Sequence, residues 1–325
     1  MRAAYYEKNG PVRDVMHLGD VDTPQPGLGE VRVRLRTSGV NPSDVKSRLG
    51  TVRKIAFPRV IPQSDGAGDV DAVGSGVPQS RVGERVWIWN GQWKRPFGTA
   101  AQYIVLPAAQ AVTLPSNVSY EAGACLGIPA MTASHAVTLS GAASGKTIMI
   151  SGGAGAVSHY AIQFAKERGA TVVVTVSSPE KARIATEAGA DHTIDYKSEN
   201  VGERVLTLTG NRGADALIEL DLTANARLMP AVLRPHGTVV IYGTMPEATI
   251  PAAFCLVNSI TLKFFLVYEL SPAEREAAIA EIQRMIGENR LIHNVAKTFP
   301  LADIFAAHEA VESGKMPGNV VLTVS

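Results

Sequence analysis

Three glycines within four residues could cradle the phosphates of a nucleotide. Gly152, Gly153 and Gly155 follow an apolar run at 147–151 and precede a helix-forming segment that begins near Val157. Glycine permits a tight turn and lets the backbone approach a pyrophosphate, whose charge is met by the amides and dipole of the helix N-terminus. The order strand, glycine turn and helix therefore predicts a dinucleotide-binding site. The residues predicted to face the cofactor there are Gly153, Ala154, Gly155, Ala156 and Val157.

The turn departs from the full fingerprint at one place. The pattern Gly-x-Gly-x-x-Gly would put a third glycine at Ser158, where helix and strand pack closely. Serine is small, so we expect it to preserve that packing. A purely structural loop is the alternative, and the flanking strand and helix favour the binding site.

The end of the next predicted strand bears on which nicotinamide cofactor is bound. Residues 171–176 form an apolar run, and Ser177, Ser178 and Lys181 follow, where an NAD site usually has an acidic residue on the ribose 2′-hydroxyl. Hydroxyl groups and an ammonium supply donors and positive charge for a 2′-phosphate. We therefore predict NADP(H) as the cofactor. The alternative, a plain helix start at Pro179, is compatible with this role.

Two domains are predicted from the change in sequence pattern along the chain. Residues 1–122 contain short β-like runs separated by glycine and proline clusters, which indicates a mostly antiparallel β domain. Residues 123–257 alternate apolar runs with amphipathic segments, which indicates an α/β fold with a doubly wound parallel sheet of the Rossmann type. The β-like end, 320–324, is expected to return to the first domain. We therefore assign 1–122 and 258–325 to one domain and 123–257 to the other.

Composition excludes several classes of protein. The 325 residues are 46% hydrophobic and 19% charged, which is typical of globular chains. The formal net charge is +1, so no overall field attracts nucleic acid, and no apolar run reaches the length of a membrane helix. Two distant cysteines, Cys125 and Cys255, and a start without a signal-peptide core favour the reducing cytoplasm. We expect a small-molecule substrate, and neither nucleic acid nor membrane as a partner.

Seven short motifs are spread over the whole chain. They are SGVNPSD at 38–44, DGAG at 65–68, VGERVW at 82–87, GTAAQY at 98–103, LGIPAMTA at 126–133, GADHTIDY at 189–196 and GNVVL at 318–322. In this order they resemble the zinc-free quinone oxidoreductase (zeta-crystallin) family of the medium-chain dehydrogenase/reductase superfamily. The resemblance implies a GroES-like, mostly β catalytic domain made from both chain ends, a Rossmann NADP-binding domain between them in sequence, and a homodimer.

The resemblance also implies contacts with the cofactor. Ser177, Lys181 and Tyr196 would contact the 2′-phosphate, and Asn41 and Thr132 would lie beside the nicotinamide. Leu220 and Asp221 replace a Ser-Val pair of the family, and would contact the cofactor as well. The remaining residues that the family pattern places around the ribose and nicotinamide are Tyr242, Gly243, Phe265, Val267 and Asn319.

The ligands of a catalytic zinc ion are absent from this sequence. The alcohol dehydrogenases of the superfamily hold zinc with cysteine and histidine side chains, because an unactivated alcohol or carbonyl needs a Lewis acid. The corresponding positions here are Asn41, Ser64 with Asp65, and Leu126. Cys125 has no partner ligand, and we expect it to be a buried core thiol. No metal is predicted, so the acceptor must take hydride readily, as quinones and other conjugated carbonyls do.

Four residues are candidates for the acceptor side. Asn41 could hydrogen-bond the acceptor or position the cofactor, and a turn-former before Pro42 is the alternative. Lys46 could donate a proton or attract an anionic acceptor, and a solvated surface lysine is the alternative. Trp87 and Trp89 could form an aromatic wall for a flat ring, or fill the β-domain core.

The first functional hypothesis is therefore an NADPH-dependent enzyme that reduces a quinone or a similar conjugated carbonyl. One alternative is reduction of an enone or alkenal double bond on the same framework. Another is an NADPH-binding protein without significant turnover.

Overall fold

The computed structural model describes residues 1–51 and 54–325, and in it the chain divides into two units. The first unit comprises Met1–Ile128 and Met285–Ser325, and the second comprises Pro129–Arg284. Short 3-10 turns at Gln79–Arg81, Ala108–Gln110, Ala226–Leu228, Val267–Glu269 and Leu301–Asp303 join larger elements.

The first unit begins with antiparallel strands. Its strands are β1 (Arg2–Tyr6), β2 (Met16–Asp20), β3 (Glu30–Val40), β4 (Asp65–Val73), β5 (Arg85–Ile88), β6 (Tyr103–Pro107) and β7 (Ala111–Thr113). Its helices up to residue 123 are α1 (Val12–Val15), α2 (Pro42–Leu49) and α3 (Tyr120–Gly123), and a π-helical turn follows at Leu126–Ala130. Along β3, Val31, Val33 and Leu35 are buried and alternate with arginines, as expected for a strand with one face on a core. The predicted antiparallel β domain is therefore confirmed.

The second unit alternates strands with helices. Its strands are β8 (Thr147–Ile150), β9 (Thr171–Val176), β10 (His192–Asp195), β11 (Ala214–Glu219), β12 (Leu233–Ile241) and β13 (Thr261–Phe264). Its helices are α4 (Met131–Ser140), α5 (Ala156–Glu167), α6 (Pro179–Glu187), α7 (Val201–Leu208), α8 (Leu222–Asn225), α9 (Met229–Val232), α10 (Ala252–Val257) and α11 (Pro272–Gly287).

These six strands form one parallel sheet in the order β10-β9-β8-β11-β12-β13. Central strands such as β9 are apolar and buried on both faces, because helices cover a doubly wound sheet on each side. The strand order reverses between β8 and β11, and ligands of such sheets bind beyond the carboxyl ends of the strands at that switch point. The predicted Rossmann α/β fold is thus present.

The end of the chain completes the sheet of the first unit. Strand β14 (Val295–Pro300), helix α12 (Ile304–Glu312) and strand β15 (Asn319–Thr323) follow α11. Strand β15 pairs with β14 in parallel and with β3 antiparallel, so that Leu322 lies opposite Ser38. The return of this segment to the first domain was expected from its sequence and is confirmed.

The unit boundaries differ from the predicted domain boundaries. Residues 258–284, assigned from the sequence to the domain of the chain ends, belong to the second unit, because β13 pairs with β12 and extends the parallel sheet. Lys263 interrupts the apolar pattern that would have revealed this strand. Its ammonium group donates a hydrogen bond to the carbonyl oxygen of Leu139 at 2.8 Å, which gives one of its hydrogens an acceptor within the same unit.

Within 1–51 and 54–325, no helix combines the length and low polarity that crossing a membrane requires.

Candidate functional site

The glycine turn connects β8 to α5 at the carboxyl edge of the parallel sheet. Gly152 has φ +66°, the left-handed conformation that favours glycine. Gly153 is needed for packing, since a Cβ there would lie 2.7 Å from a methyl carbon of Val174 on β9. Backbone hydrogen bonds from Gly152 and Gly153 to Thr175 hold the turn against the end of β9. The tight turn is therefore made at Gly152, one residue before Gly153, with which the pattern Gly-x-Gly-x-x-Ser begins.

The first turn of α5 offers a binding place for a phosphate. Gly155 is the N-cap residue and has no side chain to cap the amides that follow it, which lack partners within the helix. A Cβ on Gly155 would have only the carbonyl oxygen of Gly152 and the hydroxyl of Ser158 within 4 Å, so the space above it is open. Unpaired amides, the helix dipole and open space fit a pyrophosphate group.

Ser158, at the third glycine position, preserves the close packing of strand and helix. Its side chain is buried, and Oγ donates a hydrogen bond to the carbonyl oxygen of Ser151 at 2.8 Å. The same Oγ lies 3.4 Å from the hydroxyl of Tyr242. The departure from the fingerprint thus adds two polar contacts within the turn region, where glycine could make none.

The residues predicted for the 2′-phosphate lie at the ends of neighbouring strands. Asp195 of β10 pairs with Val176 of β9, so Tyr196 and Ser177 follow adjacent residues of the sheet, and the amide of Tyr196 donates to the carbonyl of Val176. Lys181 donates from Nζ to Oγ of Ser177 at 3.1 Å. Ser178 caps α6 by accepting a hydrogen bond from the amide of Lys181. Its hydroxyl is thereby engaged in the helix, whereas Ser177, Lys181 and the half-exposed Tyr196 form the cluster suited to an anion.

The loop after β11 contains Leu220 and Asp221 and lies against the end of β12. A Cβ on Gly243 would be 1.8 Å from the carbonyl oxygen of Leu220, so only glycine allows the two strand ends to approach this closely. The amide of Leu222 donates to the carbonyl of Gly243, and Asp221 caps α8. The structure thus brings the predicted residues Leu220, Asp221 and Gly243 together, with Tyr242 beside them.

One residue of this region was not identified from the sequence. Glu219 is 1% exposed, and it accepts hydrogen bonds from Ser151 Oγ at 2.6 Å, the Asp221 amide at 2.7 Å and Asn225 Nδ2 at 2.9 Å. Burial raises the pKa of Glu219, and the three donated bonds oppose that rise. Glu219 directly follows the apolar residues 216–218, and an acidic residue at the end of such a run was a signal available in the sequence.

Three further predicted cofactor residues belong to the second unit. Thr132 is buried in the first turn of α4, Phe265 is half-buried after β13, and Val267 is buried. The ring of Phe265 packs edge-on against His135, with 4.8 Å between ring centroids. Burial is the main reason that the pKa of His135 is lowered, so this imidazole is a neutral packing partner.

Asn41 belongs to a buried polar cluster in the first unit. It precedes α2, and its side-chain Nδ2 donates to Oδ2 of Asp65 at 2.7 Å. Its backbone amide donates to the carboxylate of Asp44 at 2.8 Å. Burial holds the pKa of Asp65 well above its usual range, against the lowering effect of the bond from Asn41. The amide of Asn41 is therefore held in one orientation.

The positions of the zinc ligands in related dehydrogenases carry no suitable donor set here. Asn41 is committed to Asp65, and Leu126 is a fully buried apolar side chain. Cys125 donates to the carbonyl oxygen of Glu121, and burial raises the pKa of its thiol well above the usual range. Among residues 1–51 and 54–325, no three histidine, cysteine or acidic side chains meet where they could hold a metal ion. These residues do not fit a catalytic zinc ion.

The remaining acceptor-side candidates lie in the first unit and differ in accessibility. Lys46 is half-buried on α2. Trp87 of β5 has no exposed surface, which favours the core-filling alternative for its ring, and Trp89, just after β5, is half-buried. Asn319, predicted near the nicotinamide amide, is buried at the start of β15 and bonded through Nδ2 to the carbonyl of Asn294 at 3.0 Å.

Comparison with known proteins identifies relatives over the whole chain. Residues 27–116 match the family model described as the alcohol dehydrogenase GroES-like domain, and residues 156–284 match the one described as a zinc-binding dehydrogenase. A quinone oxidoreductase of Pseudomonas aeruginosa is 30% identical over 98% of this chain and 97% of its own. A 2-haloacrylate reductase of a Burkholderia species is 28% identical over 99% and 98%. A mycobacterial protein solved in complex with NADPH superposes with a TM-score of 0.89, at 27% identity over 99% of both chains.

Proposed function

Because the chain belongs to the quinone oxidoreductase family of the medium-chain dehydrogenase/reductase superfamily and is an NADP(H)-dependent oxidoreductase, we propose that it reduces a quinone or a similar conjugated carbonyl. The observation that carries the proposal is the pairing of an NADPH-type strand end, Ser177 with Lys181, with a site that lacks zinc ligands. The strand end would bind NADPH, which is the reductant. The missing zinc ligands restrict the acceptor to compounds that accept hydride without a Lewis acid.

The chain's own residues account for binding of the cofactor. The amides after Gly155 and the dipole of α5 would hold the pyrophosphate, and Ser177, Lys181 and Tyr196 would hold the 2′-phosphate. When bound, NADPH supplies hydride from its nicotinamide ring. The protein would contribute by orienting the reacting groups and by excluding water from them.

The class of acceptor follows from the residues that stand where related alcohol dehydrogenases have their zinc ligands. Asn41 and Leu126 cannot polarise a simple ketone as a metal ion would. A quinone or an enone has a conjugated system that spreads the negative charge arriving with hydride, so it needs less electrophilic assistance. We assign to Asn41 the role of orienting the acceptor oxygen or the nicotinamide through its fixed amide, with Lys46 and Trp89 as further acceptor-side residues.

A second candidate reaction is reduction of an activated carbon–carbon double bond. The observation that favours it is the likeness to a 2-haloacrylate reductase, whose name gives an unsaturated acid as its substrate. Such a substrate carries a carboxylate, and Lys46 offers a cation for it. The same hydride donor serves both reactions, so the two differ only in the acceptor.

An acceptor screen distinguishes these possibilities. Oxidation of NADPH is followed by its absorbance with 1,4-benzoquinone, a naphthoquinone, an enone, 2-chloroacrylate and a simple ketone. Quinone turnover with no turnover of the ketone supports the proposal. Preferred turnover of the enone or 2-chloroacrylate, with a saturated product, establishes the second candidate, and turnover of none of the conjugated acceptors refutes both.

We further propose that the enzyme is a homodimer and acts in the cytoplasm. Strand β13 lies at the edge of the six-stranded sheet, with Phe264 60% and Leu266 48% exposed, and an edge of this kind suits pairing with a second copy. The two cysteines are unpaired, as expected in a reducing compartment.

A further inference from the structure

We infer that Glu219 is a positioning residue for the cofactor, because its carboxylate ties together the two halves of the parallel sheet where the dinucleotide binds. This inference rests on the proposed cofactor site, and it adds a residue that neither the motifs nor the family pattern pointed to. It concerns the second unit alone.

The hydrogen bonds of Glu219 come from three separate places in the chain. Oε2 accepts from Oγ of Ser151, the last residue before the glycine turn. Oε1 accepts both from the amide of Asp221, in the loop after β11, and from Nδ2 of Asn225, at the end of α8. A single carboxylate therefore fixes the entry to the phosphate-binding turn and the loop that contains Leu220 and Asp221.

The position of these bonds on the sheet gives them a functional meaning. Ser151 follows β8 and Glu219 ends β11, so the 2.6 Å bond between them crosses the switch point at its carboxyl edge. The dinucleotide of a doubly wound sheet lies across this crevice, with one half over each half of the sheet. The bond would therefore lie beneath a bound dinucleotide, and it fixes the relative position of the ends of β8 and β11, which the two halves of the cofactor would contact.

A role in sheet stability alone does not account for this arrangement. Asp215, at the opposite end of β11, already ties the same two strands, because it accepts from the amide of Thr147 on β8 at 2.9 Å. It also accepts from Arg234 on β12 at 2.7 Å. Glu219, in contrast, has no cationic partner within 1–51 and 54–325, and it is buried, a costly state for a carboxylate. Three directed donors at the binding edge offset that cost.

Glutamine can replace this glutamate while keeping the geometry. Both bonds from Asp221 and Asn225 are made to Oε1, which the amide retains, and the amide nitrogen can donate to Oγ of Ser151 in place of the bond that now runs the other way. Glu219→Gln therefore removes the charge and preserves the three contacts, whereas Glu219→Ala removes all of them. The pair of variants separates positioning from charge.

The experiment measures the dissociation constant of NADPH by quenching of protein fluorescence, together with the melting temperature. We expect Glu219→Ala to weaken NADPH binding about tenfold, since three donors lose their acceptor, and Ser151→Ala to weaken it about threefold, since one bond is lost. Glu219→Gln is expected to stay within about twofold of the wild type. In the double variant Glu219→Ala/Ser151→Ala, we expect Ser151→Ala to cause no further loss of NADPH affinity.

Asp215→Ala is the matched control. It removes a carboxylate that joins the same strands at the far edge, so it should lower the melting temperature and leave the NADPH dissociation constant unchanged. A purely structural role for Glu219 would give the same result for Glu219→Ala, and that result would overturn the inference.

Three other outcomes also overturn it. If Glu219→Gln binds NADPH as weakly as Glu219→Ala does, the charge of Glu219 matters. If the losses of NADPH affinity add up in the double variant, Ser151 and Glu219 act independently. If Glu219→Ala does not fold, an unchanged NADPH affinity in Ser151→Ala decides against the inference. Absence of NADPH binding by the wild type would instead refute the cofactor site itself, while absence of quinone turnover leaves these binding measurements unaffected.

Discussion

The side-chain amide of Asn41 donates a hydrogen bond to the carboxyl group of Asp65 at 2.7 Å, and both residues are buried. Each amide nitrogen has two hydrogens, so this bond uses one and directs the other away from Asp65. A flexible asparagine would sample several orientations, whereas this one presents a fixed donor.

Replacement of Asn41 should therefore affect turnover more than cofactor binding. We expect Asn41→Ala to lower kcat with 1,4-benzoquinone about tenfold, the scale of losing one directed donor to a reacting oxygen. Asp65→Ala should lower kcat as well, because it removes the acceptor that fixes the side-chain amide of Asn41. Steady-state kinetics test both, and an Asn41→Ala enzyme with unchanged kcat would contradict the assignment.

The contact between Lys181 and Ser177 leads to a prediction on cofactor preference. Lys181→Ala should weaken NADPH binding about tenfold or more, because a charge-assisted bond to the 2′-phosphate is lost, and should leave NADH binding nearly unchanged. Arg183→Ala, on the same helix, is the control, since Arg183 pairs with Glu187 on the surface. Fluorescence titration measures both cofactors, and equal losses for NADPH and NADH would disprove the 2′-phosphate role.

The exposed edge of β13 leads to a prediction on assembly. Light scattering should give twice the chain mass of 34.4 kDa for the wild type. Phe264→Asp should shift the protein to the monomer, because it places a charge on the 60% exposed apolar side chain at that edge. Leu28→Asp, at an 81% exposed site in the first unit, should remain dimeric. A monomeric wild type would exclude the homodimer.

Buried His308 predicts how stability depends on pH. Burial and the nearby Arg48 lower the pKa of His308 to about 3, so the folded protein keeps this imidazole neutral. In the unfolded chain this histidine has its ordinary pKa of about 6.5 and takes up a proton below that pH. The contribution of neutral His308 to the free energy of unfolding is therefore complete above a pH of about 6.5 and is lost as the pH falls from there towards 3. At pH 5 the loss from this residue is about 2 kcal/mol.

Urea unfolding at pH 7.5 and pH 5 checks this expectation. His308→Gln removes the titrating group and should reduce the difference in unfolding free energy between the two pH values. His17→Gln, which changes an exposed histidine, should leave that difference as in the wild type. An equal pH dependence for His308→Gln and the wild type would contradict the assignment.

Much of the fold could be predicted because its signals are local. The buried run of β9 and the amphipathic helix after the glycine turn each show their pattern within about a dozen residues, and alternation of such elements specifies a parallel sheet. The order of Ser177 and Lys181 after β9 is local too. Strand β13 was not predicted because Lys263 interrupts the apolar run expected of a strand in a parallel sheet, and its hydrogen-bond partner Leu139 is 124 residues away in sequence.

The site was less predictable where contacts join distant segments. Ser151 and Glu219 are 68 positions apart, and Asn41 and Asp65 are 24 apart, so no short pattern relates them. The sequence shows a carboxylate at the end of an apolar run, yet which donors satisfy it depends on the order of strands in the sheet. The exact place of the tight turn could not be predicted either, because a pattern of glycines does not say which of them has positive φ.

The place of β15 has a consequence for the order in which the protein is built. This strand, at 319–323, lies inside its sheet with β14 on one side and β3 on the other. A ribosome that has finished residues 1–128 has produced a sheet with its neighbouring strands missing, whereas residues 129–284 are complete in themselves. We therefore expect the second unit to fold first during synthesis, because the sheet of the first unit is complete only after residues 319–323 have been made.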